Sequence, residues 1–564
     1  GIRGRAHPRI TGRKGAAVKM LGAGTSDLAV SPAAPARFPH RGRKPPEESR
    51  AVLLFESLLG LLLVAVLLLW VSRHLPIPYP TLLALAGVLV ALLPFAPAVE
   101  IEPHLALVLF IAPALLDAGY DTSPRDLRRH WVSLLSLAVL AVLATALAVA
   151  AAGWAWAGIP FAAALTLGAI VAPPDAAAST AVLNRIGLPR RSMLVLQGES
   201  LLNDATALLI FGAASAWAIA GGTSGLGLLE LALAAPGGVL LGLAIAWPYL
   251  RLRPNFAGTL SATVLEFTTT FGAWLLADRL HVSPVLTVVT FAMAIARGIS
   301  EHQRARDRVQ SFAVWSLAVF VLNVLAFLLM GLQARSILAN LAPDEFWPAL
   351  STAGLVLVVV ILVRIGWVML SRLAAEVTRA KIQGMPPVPP WRVSFLVSWC
   401  GMRGLLTLAT AFALPSDFPA RDVIVLSAFS VVLGTLVVQG ATITPLMRLL
   451  GINSDRTLNE ELAEARQALD SVAMEAAARE EPELARALRL RYARAKQAAS
   501  PENPLGPSDY DQATLRVVQA QRHCLHALRQ SGHIADDVYR QLEEELDWAE
   551  LDARPHQDNE LREA

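Results

Sequence analysis

The stretch QGESLLNDATA, residues 197–207, places Glu199, Asn203 and Asp204 in a run otherwise apolar enough to cross a bilayer. A carboxylate at bilayer depth costs at least ~2.5–3.5 kcal/mol even on the gentlest insertion scale, and this one segment carries two. Ser200, Asn203 and Asp204 follow i, i+3, i+4 spacing and so share a helical face. Glu199 and Asn203, four apart, lie on an adjoining stripe. A hydroxyl, an amide oxygen and a carboxylate on one face make a partial coordination shell for a hard cation, which prefers oxygen ligands. The same carboxylate can instead hold a proton. The chemistry suggested is reversible binding of a cation or a proton inside a membrane.

Three further constellations carry charge or polarity within apolar runs. In GAIVAPPDAAASTAVLN (168–184), Asp175 follows Pro173 and Pro174. Two prolines remove two backbone donors and free carbonyls from the helical ladder. Such a break at membrane depth is tolerated where it lines a cavity or is buried in protein. The carbonyl of Pro174 beside Asp175 is therefore a second candidate oxygen ligand. In LVLFIAPALLDAGYD (107–121), Asp117 sits near a span end, where it either reaches the ion, through water, or faces bulk solvent. Positive charge comes from Arg364, deep in LVLVVVILVRIGWVML, and from Arg403, in SWCGMRGLLTLAT. An arginine in hydrocarbon needs a partner. The buried acids outnumber what an ion needs, so Glu199–Arg364 is the expected structural ion pair. Arg403, flanked by Gly401 and Gly404, is expected to be a fixed charge near the midplane. Glu266 has no obvious partner and is given no role, and Asn323 is read as a helix–helix hydrogen bond.

The elements that must position these residues are membrane helices. Hydrophobic residues make up 55% of 564 and charged residues 16%, against about a quarter charged in soluble domains. Mean hydropathy is +0.50. The fold class is all-α and polytopic. Thirteen apolar spans run near 52–71, 79–93, 104–119, 131–153, 161–184, 193–217, 226–250, 259–280, 283–299, 312–333, 347–373, 392–414 and 422–445. The loops after odd-numbered spans, with the span ends flanking them, hold seventeen Lys and Arg, and the alternate loops with their flanks three. The positive-inside bias then puts the odd-numbered loops and the C-terminus in the cytoplasm. The N-terminal stretch, residues 1–50, is basic, rich in Pro and Gly, and reads as a disordered extension. Its charge conflicts with an outside location, but six agreeing loop pairs outweigh it. The membrane domain covers 51–450. Residues 451–564 are charged, rich in Ala, Leu, Glu and Arg, and helical in period. They read as a cytoplasmic tail, either a solvated appendage or a regulatory or dimer-stabilising domain, without a nucleic-acid motif. Cys400 and Cys524 suggest neither a disulfide framework nor a metal site.

The spacing of the breaks carries further information. Span 5 holds Pro-Pro-Asp and span 12 holds Gly-Met-Arg-Gly, seven spans apart, as two inverted repeats would place them. Interrupted segments at matching positions of two halves point to a transporter's binding site.

FIAPALLDAGYD, LGAIVAPPDAAA, GESLLNDATA, LAVFVLNVLAFLLMGLQ and CGMRGLL together resemble the monovalent cation:proton antiporter-1 family, in its sodium/proton exchanger branch. The resemblance covers about residues 51–450. It implies a homodimer of thirteen-helix protomers, with crossed broken helices 5 and 12. It places the ion-binding aspartates on Asp204 and Asp175, with Ser200, Asn203 and the Pro174 backbone beside them. It places an accessory acid on Asp117, and the structural pair on Glu199 and Arg364. The family commonly has Thr where Pro174 stands, so a hydroxyl is missing and ion preference is affected. The neutral Asn203 before Asp204 implies one proton exchanged per cation and no net charge moved. The transported ions are then H⁺ and Na⁺, or Li⁺, with K⁺ as the alternative. No cofactor is expected. The partners are membrane lipid, the ions and a second copy. The location is the cell membrane. Two other classes are disfavoured. An intramembrane aspartyl protease needs a Gly-x-Gly-Asp partner that is lacking, and a channel needs a filter that is lacking.

Overall fold

The computed structural model describes residues 47–554, apart from 73, 75–77, 94–101, 123, 176–189, 221–224, 258, 300–304, 342, 382–387, 453–456, 500–507 and 532–535. The basic extension and the second half of the fifth span lie outside the described residues. Among the described residues, those from Leu53 onward form one compact unit, and 47–52, which open a helix, fall in a separate unit.

Among the described residues there is no strand, as a polytopic helical chain requires. In lipid each backbone donor and acceptor must be satisfied within its own segment, and the helix does this. The helices are α1 (Glu47–Ser72), α2 (Tyr79–Ala91), α3 (Pro103–Tyr120), α4 (Trp131–Ala157), α5 (Phe161–Val171), α6 (Arg190–Ala220) and α7 (Gly225–Leu252). They continue with α8 (Leu260–Arg279), α9 (Pro284–Ile299), α10 (Ala305–Leu332), α11 (Phe346–Lys381), α12 (Trp391–Trp399), α13 (Leu405–Phe412) and α14 (Arg421–Leu450). Among the described residues, eight helices are long and apolar enough to cross a membrane, and four shorter apolar ones accompany them. Their outer faces carry exposed Leu and Val, and Trp154, Trp156, Trp247 and Trp347 lie exposed near helix ends, where indole rings favour the interface.

Two groups of helices can be distinguished by packing. In the first, α4 packs on α5 and α11, α5 on α6, and α11 on α12 and α14. Small residues permit this: Gly168 lies against the Ala146 backbone, and Gly153 against Ala164. Without a hydrophobic drive between helices in lipid, such close approach supplies the packing energy. In the second group, α2 packs on α10, and α9 on α3, α7 and α8. Two helices stop in mid-fold. Pro173 and Pro174 end α5 at Val171, and the span expected over 392–414 divides into α12 and α13 around Cys400–Gly404.

After Gly451 come α15 (Thr457–Ala477), α16 (Pro482–Ala498), α17 (Asp509–Gln530) and α18 (Asp536–Ala553). α15 packs on α16 and α17 on α18. A capping box of Ser508 and Asp511 starts α17. Arg522 holds Asp547 at 2.5 Å and Glu550 at 2.6 Å on α18.

Candidate functional site

The site is built where the two interrupted helices meet. The prolines that stop α5 leave the Asp175 N–H without a helical acceptor, and it donates to the Met402 carbonyl at 2.7 Å. Each break thus supplies the other's missing backbone partner. Arg403, 1% exposed, completes the junction. Its Nε donates to the Val171 carbonyl at 2.7 Å, and a terminal nitrogen donates to the Gly401 carbonyl. Its N–H donates to Thr435 Oγ1 on α14 at 3.0 Å. The guanidinium thereby faces the C-terminal carbonyls of both α5 and the α12 side of the break. A cation is favoured there by the helix dipoles. Gly404 lies so close to the Asp175 carboxyl that a Cβ on it would occupy the carboxyl's position.

α6 divides its polar residues between two directions. Glu199 and Asn203 are 1% and 0% exposed and turn into the first helix group. Glu199 takes both terminal nitrogens of Arg364, at 2.6 and 3.1 Å, a bidentate pair. The Arg364 chain itself lies against Gly401, where a Cβ would overlap it. Asn203 donates from Nδ2 to the Pro174 carbonyl at 3.1 Å. The opposite amide orientation would set oxygen against oxygen. Its Oδ1 is buried and takes no hydrogen bond.

The stripe Gln197, Ser200, Leu201 and Asp204 turns the other way, into a cavity of about 330 Å³. Asp175, Pro173, Pro174, Gly404 and Thr407 line it from the breaks, Asp117 from α3, and Ser316 and Asn323 from α10. Asp175 and Asp204 are near enough to repel one another. Three carboxylates thus line one cavity between the two helix groups. Such a space is neutralised by a proton or a cation.

The structure brings together Asp204, Asp175, Ser200, Asp117 and Pro174, and separately Glu199 with Arg364. It does not bring Asn203 to the cavity wall. Spacing alone places Asn203 on the Ser200–Asp204 face, but the cavity takes the 197/200/201/204 stripe, and Asn203 points inward to hold the α5 break. Pro174's carbonyl, an expected ion ligand, is already accepting from that amide. Among the described residues Asn323 has no hydrogen-bond partner, contrary to its reading as a helix–helix contact, because its side chain opens on the cavity. Glu266 does have partners: Ser311 Oγ donates to it at 3.2 Å, and Arg253 lies in electrostatic reach. It belongs to the packing of α7, α8 and α10 and does not line the cavity. Gln197, Ser316 and Thr407 were not anticipated. Gln197 had a signal, since it stands seven residues before Asp204 on the same helical face.

Residues 61–449 match the family described as sodium/hydrogen exchanger, transmembrane. This chain belongs to that family. The chain is 31% identical over 500 residues to an uncharacterized Na⁺/H⁺ exchanger of Mycobacterium tuberculosis H37Rv, covering 84% of this chain and 91% of the relative. It is 32% identical over 421 residues to the uncharacterized Na⁺/H⁺ exchanger YjcE of Escherichia coli K12, covering 70% and 76%. A sodium, potassium, lithium and rubidium/H⁺ antiporter of Bacillus pumilus is 32% identical over 415 residues, covering 70% of this chain and 60% of the relative. The fold is that of the sodium proton antiporter MjNhaP1 of Methanocaldococcus jannaschii, with TM-score 0.54 and 19% identity, covering 71% of this chain and all of that one. The protein is accordingly a multi-pass membrane cation/proton antiporter, a transporter and not an enzyme.

Proposed function

We propose that the protein exchanges Na⁺ for H⁺ by competition at Asp204 and Asp175. The observation that carries this is the cavity in which those two carboxylates, with Asp117, face one another at the meeting of two broken helices. Like charges in a poorly hydrated space titrate as a coupled unit. One proton or one cation relieves the repulsion, but the site has no need of both. Carrying the charged, empty site through the bilayer costs far more than carrying a neutralised one. Exchange is then obligatory.

Ser200 supplies a hydroxyl ligand, the free lone pair of the Pro174 carbonyl a second, and Asp117 a water-mediated third. Asn203 fixes the break and keeps the position beside Asp204 neutral, which favours one proton per cation and electroneutral exchange. Glu199 and Arg364 are scaffold. Arg403 is the fixed charge of the junction. The first helix group moves the site past the second, as in transporters built of inverted repeats. Thirteen crossings, a homodimer in the cell membrane and a cytoplasmic C-terminal tail complete the reading. The Bacillus pumilus relative's name favours a second reading, in which K⁺ and Li⁺ are also exchanged.

The test is the full-length protein in proteoliposomes with an entrapped pH dye. Na⁺, Li⁺ and K⁺ are added in turn. Asp204→Asn is expected to abolish the cation-driven pH change for every ion. Retained exchange in that variant defeats the assignment, and a rate that follows an imposed membrane potential defeats electroneutrality.

A further inference from the structure

We infer that Asn323, on the α10 wall of the cavity that Asp204 also lines, is a specificity-determining ligand for the dehydrated cation, with Ser316 as an approach ligand two turns away. The inference rests on the exchange reading above and names what that reading lacks, a neutral side-chain oxygen donor from the second helix group.

α10 crosses an apolar stretch, Arg308–Ala339, with mean hydropathy 2.5. Its cavity face carries Val319, Phe320 and Phe327, broken only by Ser316 and Asn323. These two are seven residues apart, so they share a face about 10 Å apart along the helix. Neither makes a hydrogen bond with any of the described residues. By contrast, Ser311, Ser336, Ser351 and Ser371 use their hydroxyls within the protein. An unpaired amide at membrane depth is costly. Asn323 is placed where only the contents of the cavity can satisfy it.

The donor types suit the task. The site side of the cavity is rich in charge, from Asp204, Asp175 and Asp117. Charge attracts any monovalent cation. Discrimination by size needs neutral oxygens at fixed positions, which replace hydration water for one radius better than another. An amide oxygen on a rigid helix is such a group, and it has no proton to exchange. Ser316 lies toward the N-terminal end of α10, the end near the arginine-rich loop. A cation entering from that end meets its hydroxyl before reaching Asn323.

The experiment measures initial exchange rates of the full-length protein in proteoliposomes, against Na⁺, Li⁺ and K⁺ concentration. Wild type, Asn323→Leu, Asn323→Asp and Asp204→Asn are compared. Asn323→Leu is expected to raise the apparent KM for Na⁺ about tenfold, to keep the maximal rate within about twofold, and to change the Na⁺-to-K⁺ preference. Asn323→Asp, nearly the same shape, is expected to lower the apparent KM for all cations and to flatten the preference. It serves as well if the leucine variant fails to fold. Unchanged KM and preference in the folded variants, with only a lower maximal rate or yield, would mean a packing role and overturn the inference. If Asp204→Asn is inactive while the Asn323 variants keep wild-type selectivity, this inference fails alone. If Asp204→Asn still exchanges ions, the exchange reading itself fails.

Discussion

Replacing Glu199 by glutamine would leave two buried guanidinium groups with no carboxylate bound to either. Arg364 is 4% and Arg403 1% exposed, and both lie in electrostatic reach of Glu199. Arg403 is partly compensated by the Val171 and Gly401 carbonyls, but Arg364 depends on its two bonds to Glu199, at 2.6 and 3.1 Å. Removing one partner of a buried pair costs roughly 3–5 kcal/mol, since the other charge is left uncompensated. At about 1.4 kcal/mol per tenfold, that is two to three and a half orders of magnitude in the unfolding equilibrium. The local charges make the two single variants unequal. Arg364→Met leaves Glu199 with Arg403 still in reach, whereas Glu199→Gln leaves like charges facing each other. Glu199→Gln should therefore be the more destabilising single change. The double variant Glu199→Gln/Arg364→Met should recover most of the loss, because the guanidinium that depended on Glu199 is removed with it and Arg403 keeps the Val171 and Gly401 carbonyls. The assay is thermal or denaturant unfolding of the detergent-purified protein, followed by retention of the native size-exclusion peak, with exchange measured on the surviving fraction. Equal losses in both single variants would refute the argument from Arg403. A double variant as unstable as the sum of the singles would refute the reading of Glu199 and Arg364 as a mutually compensating scaffold pair.

Three other outcomes follow from the same geometry. Gly404→Ala sets a Cβ where the Asp175 carboxyl now lies, so exchange in proteoliposomes should fall at least about tenfold; wild-type rates would mean Asp175 is not needed in this position. Arg403→Met removes the donors to Val171 and Gly401, and should cost at least about 2 kcal/mol by leaving buried carbonyls unpaired, with Arg403→Lys recovering part of it; equal unfolding midpoints for the two variants would contradict a role for the charge at two helix C-termini. In the tail, burial first, and then the Asp511 charge, push the Asp470 carboxyl upward, against the pull of Arg466 and Lys496, and its Oδ2 is buried without a partner. The folded tail then binds the proton more tightly than the unfolded one, so its stability falls as pH rises above the ordinary carboxylate range. Asp470→Asn should flatten that dependence and slow limited proteolysis of the tail at pH 7, and faster cleavage would reverse the sign.

The membrane class and the positions of the helices were legible because hydropathy and helix length are one-dimensional properties. An apolar run of about 20 residues has few other fates. The breaks at Pro173-Pro174 and Gly401–Gly404 were legible for a similar reason, since proline and glycine act on their own backbone. The candidate acids were legible because carboxylates in such runs are too costly to be incidental. The facing of α6 was not. Ser200, Asn203 and Asp204 satisfy the helical spacing for a shared face, yet a face spans more than 100° of the helix. Which part of it meets a cavity depends on how α6 packs on α5.

From the sequence alone came the stretch 197–207 as the centre of the protein, its two acids, and the arginines available to pair with them. Tertiary structure decided the partners. It set Arg364, 165 residues away, on Glu199. It turned Asn203 away from the cavity toward Pro174. It joined Asp175 to Met402 across the two breaks, and opened Asn323 to the cavity. Each of these is a contact between segments distant in the chain. Local spacing fixes which residues share a helix face, but only packing fixes what that face meets.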